Sequence, residues 1–335
     1  MFVGTRNRVE SRAVPQHGYD FHAISISGFR RSVSLRALLF PVQVLVALGQ
    51  SLVLLMRLRP GVVVGTGGYV SGPPVAAAWM LGIPTLLQEQ NSYPGVTTRL
   101  LARVAREVHV TFAATERHLP RTDTMRLTGT PTRAQIGTVG REDAAQRLQL
   151  DPARRTLLVL GGSQGAASIN NAVMAAMPWL REQEVQVLWA TGRGEFARVQ
   201  QALEERLPGG DPRIRAVAYI EHVADAYAVA DLVVSRAGAT TLAEIMRAGL
   251  PALLVPYPHA AADHQTENAR TLLEAGAAVV VADAELPARF GTELRLLLDD
   301  AARRGQMGER ARTLGHPEAA RTLAEAVLHI AEQER

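Results

Sequence analysis

A glycine-rich loop lies between an apolar run and a helical pattern in LLVLGGSQGAASIN (157–170). An apolar strand that ends in glycines and leads into a helix brings backbone N–H groups and a helix N-terminus to a diphosphate. The hydroxyl of Ser163 can add one more donor. The alternative is a tight strand-to-helix turn without a ligand, and the GxGxxG dinucleotide fingerprint is absent. The loop therefore favours a phosphate site, and not one of the dinucleotide type.

An acidic residue follows another strand pattern in SRAGATTLAEIMRAGLPALLVP (235–256). Arg236 ends that strand, and we predict that a helix begins at Thr241. Glu244, at the carboxyl end of the strand, can accept hydrogen bonds from both hydroxyls of a ribose. Thr241 and Glu244 also fit a capping box, in which Glu244 would only cap its own helix. The local pattern favours neither interpretation, and both stay open at this point.

Polar side chains open a further predicted helix in PYPHAAADHQTENARTLLEAGAA (256–278). Asp263, His264, Gln265 and Asn268 suit the hydroxyl groups of a sugar. The two histidines of this stretch lie close to Asp263, but their spacing matches no zinc signature. We therefore predict that Asp263 caps the helix and that no metal binds here.

Polar residues also end a strand pattern in the first half of the chain, in LLQEQNSYPGVTTRLLARVA (86–105). Gln88, Glu89, Gln90 and Asn91 follow one another where the apolar run stops. Four polar residues at the carboxyl end of a strand suit a binding site better than a core. A solvated loop is the alternative.

A second glycine loop occurs in VVVGTGGYVSGPPVAAA (62–78) and echoes the first one, which lies in LVLGGSQGAASINNAV (158–173). Both stretches predict a strand, a glycine loop and a helix. Two such units facing each other across a cleft would place their ligands at the carboxyl ends of both sheets.

The elements that must position these residues alternate along the chain, which is typical of an α/β fold. The predicted strands are 62–64, 85–88, 108–111, 156–160, 185–190, 214–218, 232–235, 252–256 and 278–281. The predicted helices are 41–57, 73–81, 96–105, 167–177, 194–201, 223–230, 241–248, 263–275 and two C-terminal segments. Gly, Pro and Thr cluster in LTGTPTRAQIG (127–137), so we place the domain boundary there, with about six strands after it.

The composition excludes several kinds of chemistry. The chain has no cysteine, and all 36 of its basic residues are arginine, so thiolate metal sites and Schiff-base lysines are excluded. Residues 1 to 130 carry 14 arginines against 6 acidic residues, although the whole chain has a net charge of only +4. A basic first half suggests an anionic partner, and no nucleic-acid motif is present. A pyrophosphate or a membrane surface is therefore the favoured partner.

One uncharged stretch of twenty residues, ALLFPVQVLVALGQSLVLLM (37–56), is long enough to span a bilayer. However, Pro41 interrupts it, and Gln43, Ala47 and Gln50 form a less apolar stripe at helical spacing. A strand pattern also comes directly after it. We predict a crossover helix over 41–57 that packs on a sheet, with a membrane span as the alternative.

Seven motifs together resemble the MurG family of bacterial glycosyltransferases (family 28). They are GTGGYVSGPP, LQEQN, GTPTR, LGGSQGA, YIEHV, SRAGATTLAEI and DHQTENA, and the likeness runs from about Phe2 to the C-terminus. The resemblance implies a GT-B fold, in which two Rossmann-like, doubly wound α/β domains face each other across a cleft. Residues 1–132 would be the acceptor and membrane-side domain, with a helix at about 316–335 packing back on it. Residues 133–315 would bind the UDP-sugar.

The resemblance also implies an activity. Members of this family transfer N-acetylglucosamine from UDP-GlcNAc, with inversion, to the C4 hydroxyl of the muramoyl sugar of undecaprenyl-pyrophosphoryl-MurNAc-pentapeptide (lipid I). The product is lipid II, which is used for peptidoglycan. UDP-GlcNAc is a substrate, and neither a cofactor nor a metal is expected. The expected location is peripheral, on the cytoplasmic face of the bacterial inner membrane.

Site residues are implied by the same resemblance, motif by motif. The implied donor-binding residues are Asn91, Arg133, Ser163, Ile220, Ala239, Thr240, Thr241, Leu242, Ala243, Glu244 and Gln265. The implied acceptor-side residues are Gly67, Gly68, Tyr69, Ser71 and Glu89. An anionic membrane would contact a basic and apolar flank made by Phe29, Arg30, Arg31, Leu35, Arg36, Leu38, Leu39 and Phe40.

The chain departs from the family pattern at its start. The family begins with a strand, a GGTGGH loop that carries the proposed general base, and a helix. MFVGTRNRVESRAVPQHGYDF resembles the family sequence only from the end of that unit onward, and neither His17 nor His22 lies in a glycine loop. The sequence therefore leaves the general base unassigned, and a domain without its central first strand would expose a sheet edge. The alternatives are a UDP-sugar-binding homologue without catalysis, or a GT-B transferase with another lipid acceptor.

Overall fold

The computed structural model describes residues 1–28, 40–120, 122–162 and 165–333. The chain divides into two compact units: unit 1 is Met1–Thr130 with Glu318–Arg335, and unit 2 is Pro131–Pro317. The chain passes from unit 1 to unit 2 after Thr130 and back to unit 1 after Pro317. The sequence predicts these two boundaries after residues 132 and 315, so each differs by two residues. The basic flank predicted at residues 29–39 lies outside the described residues, and Phe40 begins a helix.

Unit 1 contains two parallel sheets. Its larger sheet has the order β3 (Val63–Gly65), β4 (Thr85–Glu89), β5 (Glu107–Val110), β6 (Met125–Leu127), and β1 (Phe2–Gly4) pairs only with β2 (Phe21–Ala23). Within the described residues, the edge strands β1, β2, β3 and β6 each pair with a strand on one side only. The helices of this unit are α1 (Glu10–Gln16), α2 (Phe40–Leu58), α3 (Gly72–Met80), α4 (Val96–Leu101) and, from the C-terminus, α13 (Ala319–Gln333).

Unit 2 is built on one parallel sheet of six strands. The strands are β7 (Arg155–Leu160), β8 (Val185–Ala190), β9 (Ile214–Val217), β10 (Leu232–Ser235), β11 (Ala252–Leu254) and β12 (Ala278–Val280). Their order is β12-β11-β10-β7-β8-β9, so the direction of winding reverses between β7 and β10. In open α/β sheets, ligands bind in the crevice that such a reversal opens at the carboxyl ends of the strands.

Helices cover both faces of this sheet, because strands that read as continuous apolar runs must be buried on both sides. They are α5 (Arg141–Leu148), α6 (Ala167–Glu182), α7 (Phe196–Arg206), α8 (Val223–Val229), α9 (Ala239–Ala248), α10 (His264–Glu274), α11 (Leu286–Asp299) and α12 (Ala301–Thr313). A buried polar pair fixes α6 on the sheet: Asn170 accepts a hydrogen bond from the Trp189 indole at 3.0 Å and donates one to the Thr191 carbonyl.

Several elements correct the sequence prediction. Three C-terminal helices occur where two segments were predicted, because Asp300 caps a new helix through the backbone N–H of Arg303 at 2.8 Å. The strands β1, β2 and β6 have only three residues each and were not predicted. Helix α5 was missed because its sequence, REDAAQRL, is largely polar. The predicted α/β class is confirmed.

Helix α2 exposes its apolar face. Its less apolar stripe turns inward: Gln43 accepts from the Ser27 hydroxyl, Gln50 accepts from the Ser25 backbone, and Ala47 is fully buried. The opposite side presents exposed Val42, Leu45, Val46, Val53 and Met56. The part of α2 that is packed lies mainly against α3. The prediction that α2 packs on a sheet is therefore only partly correct.

By length and composition, α2 is the one helix in the described part of the chain that passes for a membrane span. Such a result is weak by itself, because core helices pass the same test. Only 17% of its most apolar window is buried, which is unlike a core helix.

One arginine on α9 holds both points where the chain enters and leaves unit 2. The Arg247 guanidinium donates to the carbonyls of Ala134 and Ile136, to the Thr132 hydroxyl, and to the Pro317 carbonyl. All four distances from the guanidinium nitrogens to these oxygens lie between 2.8 and 3.2 Å.

Candidate functional site

A pocket opens in unit 2 at the carboxyl ends of β7 and β10, where the strand order reverses. Its walls come from the ends of β7, β8, β9 and β10, from the helices α8 and α9, and from Arg133. The lining residues are Arg133, Leu160, Gly162, Ala190, Tyr219, Ile220, Val223, Tyr227, Ser235, Arg236, Thr241 and Glu244.

The glycine loop after β7 needs its glycines for two different reasons. Gly162 and Gly165 have φ of +73° and +90°, a backbone region that other residues rarely adopt. At Gly165 a Cβ would also meet the Glu195 side chain at 2.9 Å and the Thr191 carbonyl oxygen at 3.0 Å, whereas at Gly162 it would meet nothing within 4 Å. The predicted donor residue Ser163 lies outside the described residues.

This difference gives a matched pair of substitutions. We expect Gly162→Ala to lower the free energy of unfolding by about 1 kcal/mol, the cost of alanine in a left-handed conformation. Gly165→Ala should cost about 3 kcal/mol, because overlap with packed atoms adds to the same backbone cost. Urea unfolding of both variants measures the difference, and equal losses would contradict the close packing at Gly165.

Arg236 joins three elements at the floor of the pocket. Its guanidinium donates to Asp283, to the Ser168 hydroxyl at 2.8 Å, and to the carbonyls of Val255 and Pro256 at 3.2 Å. Ser168 lies in the first turn of α6, so the cation ties the start of that helix to the ends of β10 and β11.

The carboxylate of Asp283 completes this cluster, because it also accepts from Ser168 at 2.6 Å. Burial alone would raise the pKa of Asp283, but the hydrogen bonds from Ser168 and Arg236 outweigh it and lower the pKa below its usual value. The ion pair therefore persists at neutral pH and keeps the start of α6 tied to the ends of β10 and β11.

Glu244 lies on α9 and is held by two donors. Arg133 donates to one carboxylate oxygen at 2.8 Å, and the Tyr227 hydroxyl donates to the other at 3.1 Å. The capping-box interpretation is wrong, because α9 begins at Ala239, two residues earlier than predicted, with Gly238 at its N-cap and no side-chain cap. Glu244 is therefore past the first turn and reaches the wall of the pocket instead.

The environment of Glu244 sets its protonation. Its side chain is only 8% exposed, and burial raises its pKa above the usual value although Tyr227 and Arg133 both act to lower it. Burial and the neighbouring carboxylate raise the pKa of Tyr227 well above its usual value. The phenol therefore remains a hydrogen-bond donor across the physiological pH range.

The other predicted residues of α9 divide into two groups. Ala239, Thr240 and Thr241 form the first turn, and Thr241 lines the pocket. Leu242 and Ala243 are buried in the core of unit 2 and do not line it. These two residues would therefore contribute to a ligand site only by holding α9 in position, because their side chains do not reach the pocket. Ile220 lines the opposite wall.

Gln265 bridges two neighbouring loops. Its side-chain oxygen accepts from the backbone N–H groups of Ala237 at 3.2 Å and Tyr257 at 3.0 Å. The predicted cap at Asp263 is wrong in its detail: Asp263 has a φ of +53° and accepts from the Thr266 hydroxyl, and no side-chain cap to the helix backbone forms. Within the described residues, no group of three or more His, Asp or Glu could hold a metal ion.

Two residues predicted in unit 1 contact each other. Glu89 is buried, and its carboxylate accepts from the backbone and side chain of Asn91 at 3.1 Å and from the Gly95 backbone at 3.2 Å. Glu89 therefore orders the loop that carries Asn91. This use of both carboxylate oxygens inside the protein was not predicted.

The second glycine loop has the backbone that its glycines suggest. Gly67 and Gly68 have φ of +85° and +71°, and Tyr69–Ser71 form a short 3-10 turn before α3. The Ser71 hydroxyl donates to the Gly68 carbonyl at 3.0 Å, and Gln90 donates to the Thr66 carbonyl. The hydrogen bond from Gln90 thus joins the glycine loop to the end of β4 within unit 1.

Sequence reasoning missed Tyr227 as a site residue. It lies in the apolar pattern of α8, where a tyrosine is indistinguishable from a core residue. A buried hydroxyl needs a partner, and this requirement was the only available signal.

Comparison with known proteins places these observations in a family. Residues 1–110 match the model described as glycosyltransferase family 28 N-terminal domain, and residues 156–323 match the family 28 C-terminal domain. A relative from Salinibacter ruber is 43% identical over 100% of this chain and 89% of its own length. A relative from Chlorobium luteolum is 44% identical over 99% and 90%. Both are named UDP-N-acetylglucosamine–N-acetylmuramyl-(pentapeptide) pyrophosphoryl-undecaprenol N-acetylglucosamine transferase.

Solved structures agree. The crystal structure of Acinetobacter baumannii MurG matches with a TM-score of 0.79 and 28% identity, over 98% of this chain and 90% of that one. A UDP-GlcNAc 2-epimerase from Neisseria meningitidis matches with a TM-score of 0.65 at 11% identity, over 98% of this chain and 90% of that one, a likeness of fold alone. The predicted GT-B fold is confirmed. The chain belongs to glycosyltransferase family 28.

Proposed function

We propose that this chain transfers N-acetylglucosamine from UDP-GlcNAc to undecaprenyl-pyrophosphoryl-MurNAc-pentapeptide, making lipid II for peptidoglycan. The relatives that carry this name align with almost the whole chain. The observation that carries the proposal is the position of Glu244, a buried carboxylate at the reversal of strand order. Ligands of open α/β sheets bind at such a reversal, and in nucleotide-binding members an acidic residue hydrogen-bonds the ribose hydroxyls.

The donor occupies the pocket of unit 2. Glu244 accepts from the ribose diol, and the backbone at Ile220 faces the uracil. The diphosphate lies at the glycine loop and at the first turn of α6, where backbone N–H groups and the helix dipole favour an anion. Gln265 is the proposed contact of the sugar, and Ser163 is the proposed contact of the diphosphate.

The chemical step is a direct displacement with inversion. The C4 hydroxyl of the muramoyl sugar attacks the anomeric carbon, the bond from that carbon to the diphosphate oxygen breaks, and UDP leaves with the bonding electrons. The glycine loop and the N-terminus of α6 stabilise the negative charge that develops on the leaving diphosphate. We propose that no metal is required for this. The acceptor binds at Gly67, Gly68, Tyr69 and Ser71, and Glu89 contributes only by ordering the loop that carries Asn91.

The test is product formation with the purified chain. UDP-GlcNAc and a lipid I analogue should give a product that is heavier by one N-acetylhexosamine, and a chelator should not change the rate. UDP-glucose and UDP-galactose should react much more slowly. Equal rates for all three donors would overturn the proposed donor. Tight UDP binding without any product would overturn the transferase and leave a donor-binding protein.

We also infer that unit 1 binds a membrane surface through α2 and the end of α3. The exposed apolar residues of α2 recur at helical spacing, so they form one continuous face. Trp79 and Met80 at the end of α3 are each 56% exposed, and α3 packs against α2. An exposed apolar patch of this kind marks an interaction site.

The positive charge of residues 1–130 indicates which kind of partner the exposed face of α2 binds. The excess of arginine in residues 1–130 favours an anionic leaflet, and the lipid-linked acceptor is held in such a membrane. A helix whose polar stripe binds its own protein and whose apolar face is open can lie in the interface without crossing it. We therefore propose a peripheral location on the cytoplasmic face of the plasma membrane.

A further inference from the structure

A buried tyrosine next to the proposed ribose site has a polar role that the proposed function does not yet include. Tyr227 on α8 is 2% exposed, and its hydroxyl lies 3.1 Å from Glu244. A phenylalanine would fill the same space, so packing alone does not require the hydroxyl.

The two donors that hold Glu244 differ in their freedom to move. The Arg133 side chain is 53% exposed and stands on the segment that enters unit 2, so it can exchange Glu244 for a ligand or for water. Tyr227 is enclosed by the core and can do neither. Tyr227 is therefore the fixed partner of this carboxylate.

The number of acceptor sites suits a diol. A carboxylate offers about four lone-pair positions, two on each oxygen. Tyr227 occupies one position on one oxygen, and Arg133 occupies one on the other. One position on each oxygen is left, and two neighbouring ribose hydroxyls require one each.

We propose that Tyr227 is a positioning residue that fixes the rotation of the Glu244 carboxylate, so that both of its oxygens meet the ribose diol. This inference rests on the proposed donor site. Without the phenol, the carboxylate can rotate about its last bond and meet only one hydroxyl at a time. Selectivity for ribose over 2′-deoxyribose should then fall.

The test compares UDP with 2′-deoxy-UDP by calorimetry. Tyr227→Phe should weaken UDP binding about tenfold and 2′-deoxy-UDP binding less than threefold, because only UDP offers both hydroxyls. Asp225→Asn is the matched control on the same helix: it removes the ion pair with Arg147 and destabilises α8 without touching Glu244. Asp225→Asn should lower the melting temperature and leave the ratio of the two affinities unchanged.

A pH profile gives a second readout. Among the described residues, the charged and titratable groups that hydrogen-bond to Glu244 are Arg133 and Tyr227. The hydrogen bond from Tyr227 lowers the pKa of Glu244, so in Tyr227→Phe the loss of UDP affinity on acidification should begin at a higher pH. If the phenol had a purely structural role, the pH at which UDP affinity begins to fall would be the same in Tyr227→Phe as in the unchanged protein.

Glu244→Ala separates the ribose site from the role of the phenol. If this variant still prefers UDP to 2′-deoxy-UDP as strongly as the unchanged protein, the proposed ribose site is wrong. If it loses the preference while Tyr227→Phe keeps it, the ribose site stands and the inference about Tyr227 is overturned.

Discussion

Glu244→Ala should weaken UDP binding about 100-fold, because two hydrogen bonds from ribose hydroxyls to a charged acceptor are lost together. The loss should appear in the dissociation constant of UDP and, in the transfer assay, in kcat/KM. The fold should survive, since removing a buried carboxylate offsets much of the cost of leaving the Tyr227 phenol without its partner. Calorimetry with UDP and urea unfolding measure the two quantities on one preparation.

The control for Glu244→Ala is Asp231→Ala, at the start of β10 and so at the opposite end of that strand from the pocket. Asp231 accepts from the Arg141 guanidinium and from the Thr156 backbone, and it does not line the pocket. Its removal should lower the free energy of unfolding and leave UDP affinity within twofold. A UDP dissociation constant that changes less than threefold in Glu244→Ala would contradict the donor site.

Placing two aspartates on the exposed face of α2, as in Leu45→Asp with Val53→Asp, should reduce partition into anionic vesicles at least 100-fold. Each apolar side chain taken from water into the interface contributes about 1.5–3 kcal/mol, and two carboxylates on that face are also repelled by anionic lipid. Co-sedimentation with vesicles of phosphatidylglycerol measures the partition. UDP binding should stay within twofold, because the pocket lies in unit 2.

The matched control for α2 is Leu273→Asp with Leu296→Asp. These two leucines are 48% and 50% exposed, and both lie in unit 2. This pair should leave vesicle binding unchanged. If the α2 variant still sediments with vesicles, the face is not the membrane contact; if it instead changes from a dimer to a monomer in solution, the face joins two copies of the chain.

The sheet of unit 2 could be predicted closely because its strands are buried. Strands covered on both faces appear as short apolar runs, and the bounds of β8 and β10 agree with the predicted ranges. Short strands such as β1, with the sequence FVG, have no such run, and their pairing depends on distant residues. The polar helix α5 is stabilised by tertiary contacts, including the Arg147–Asp225 ion pair, which no local pattern shows.

The candidate site was predicted only in part for the same reason. Glycines at 161, 162 and 165 and the acid at 244 could be found locally, because backbone shape and strand ends leave local signals. The pairing of Glu244 with Arg133 spans 111 residues, so the sequence could not decide between a cap and a ligand-binding carboxylate. The start of α9 at Ala239 excludes the cap.

Arg247 makes the two connections between the units interdependent. The entering segment at Thr132 to Ile136 and the leaving segment at Pro317 bind the same guanidinium, one turn of α9 beyond Glu244. A single substitution at Arg247 would therefore release both connections at once. Both connections are therefore held by the helix that also carries Glu244.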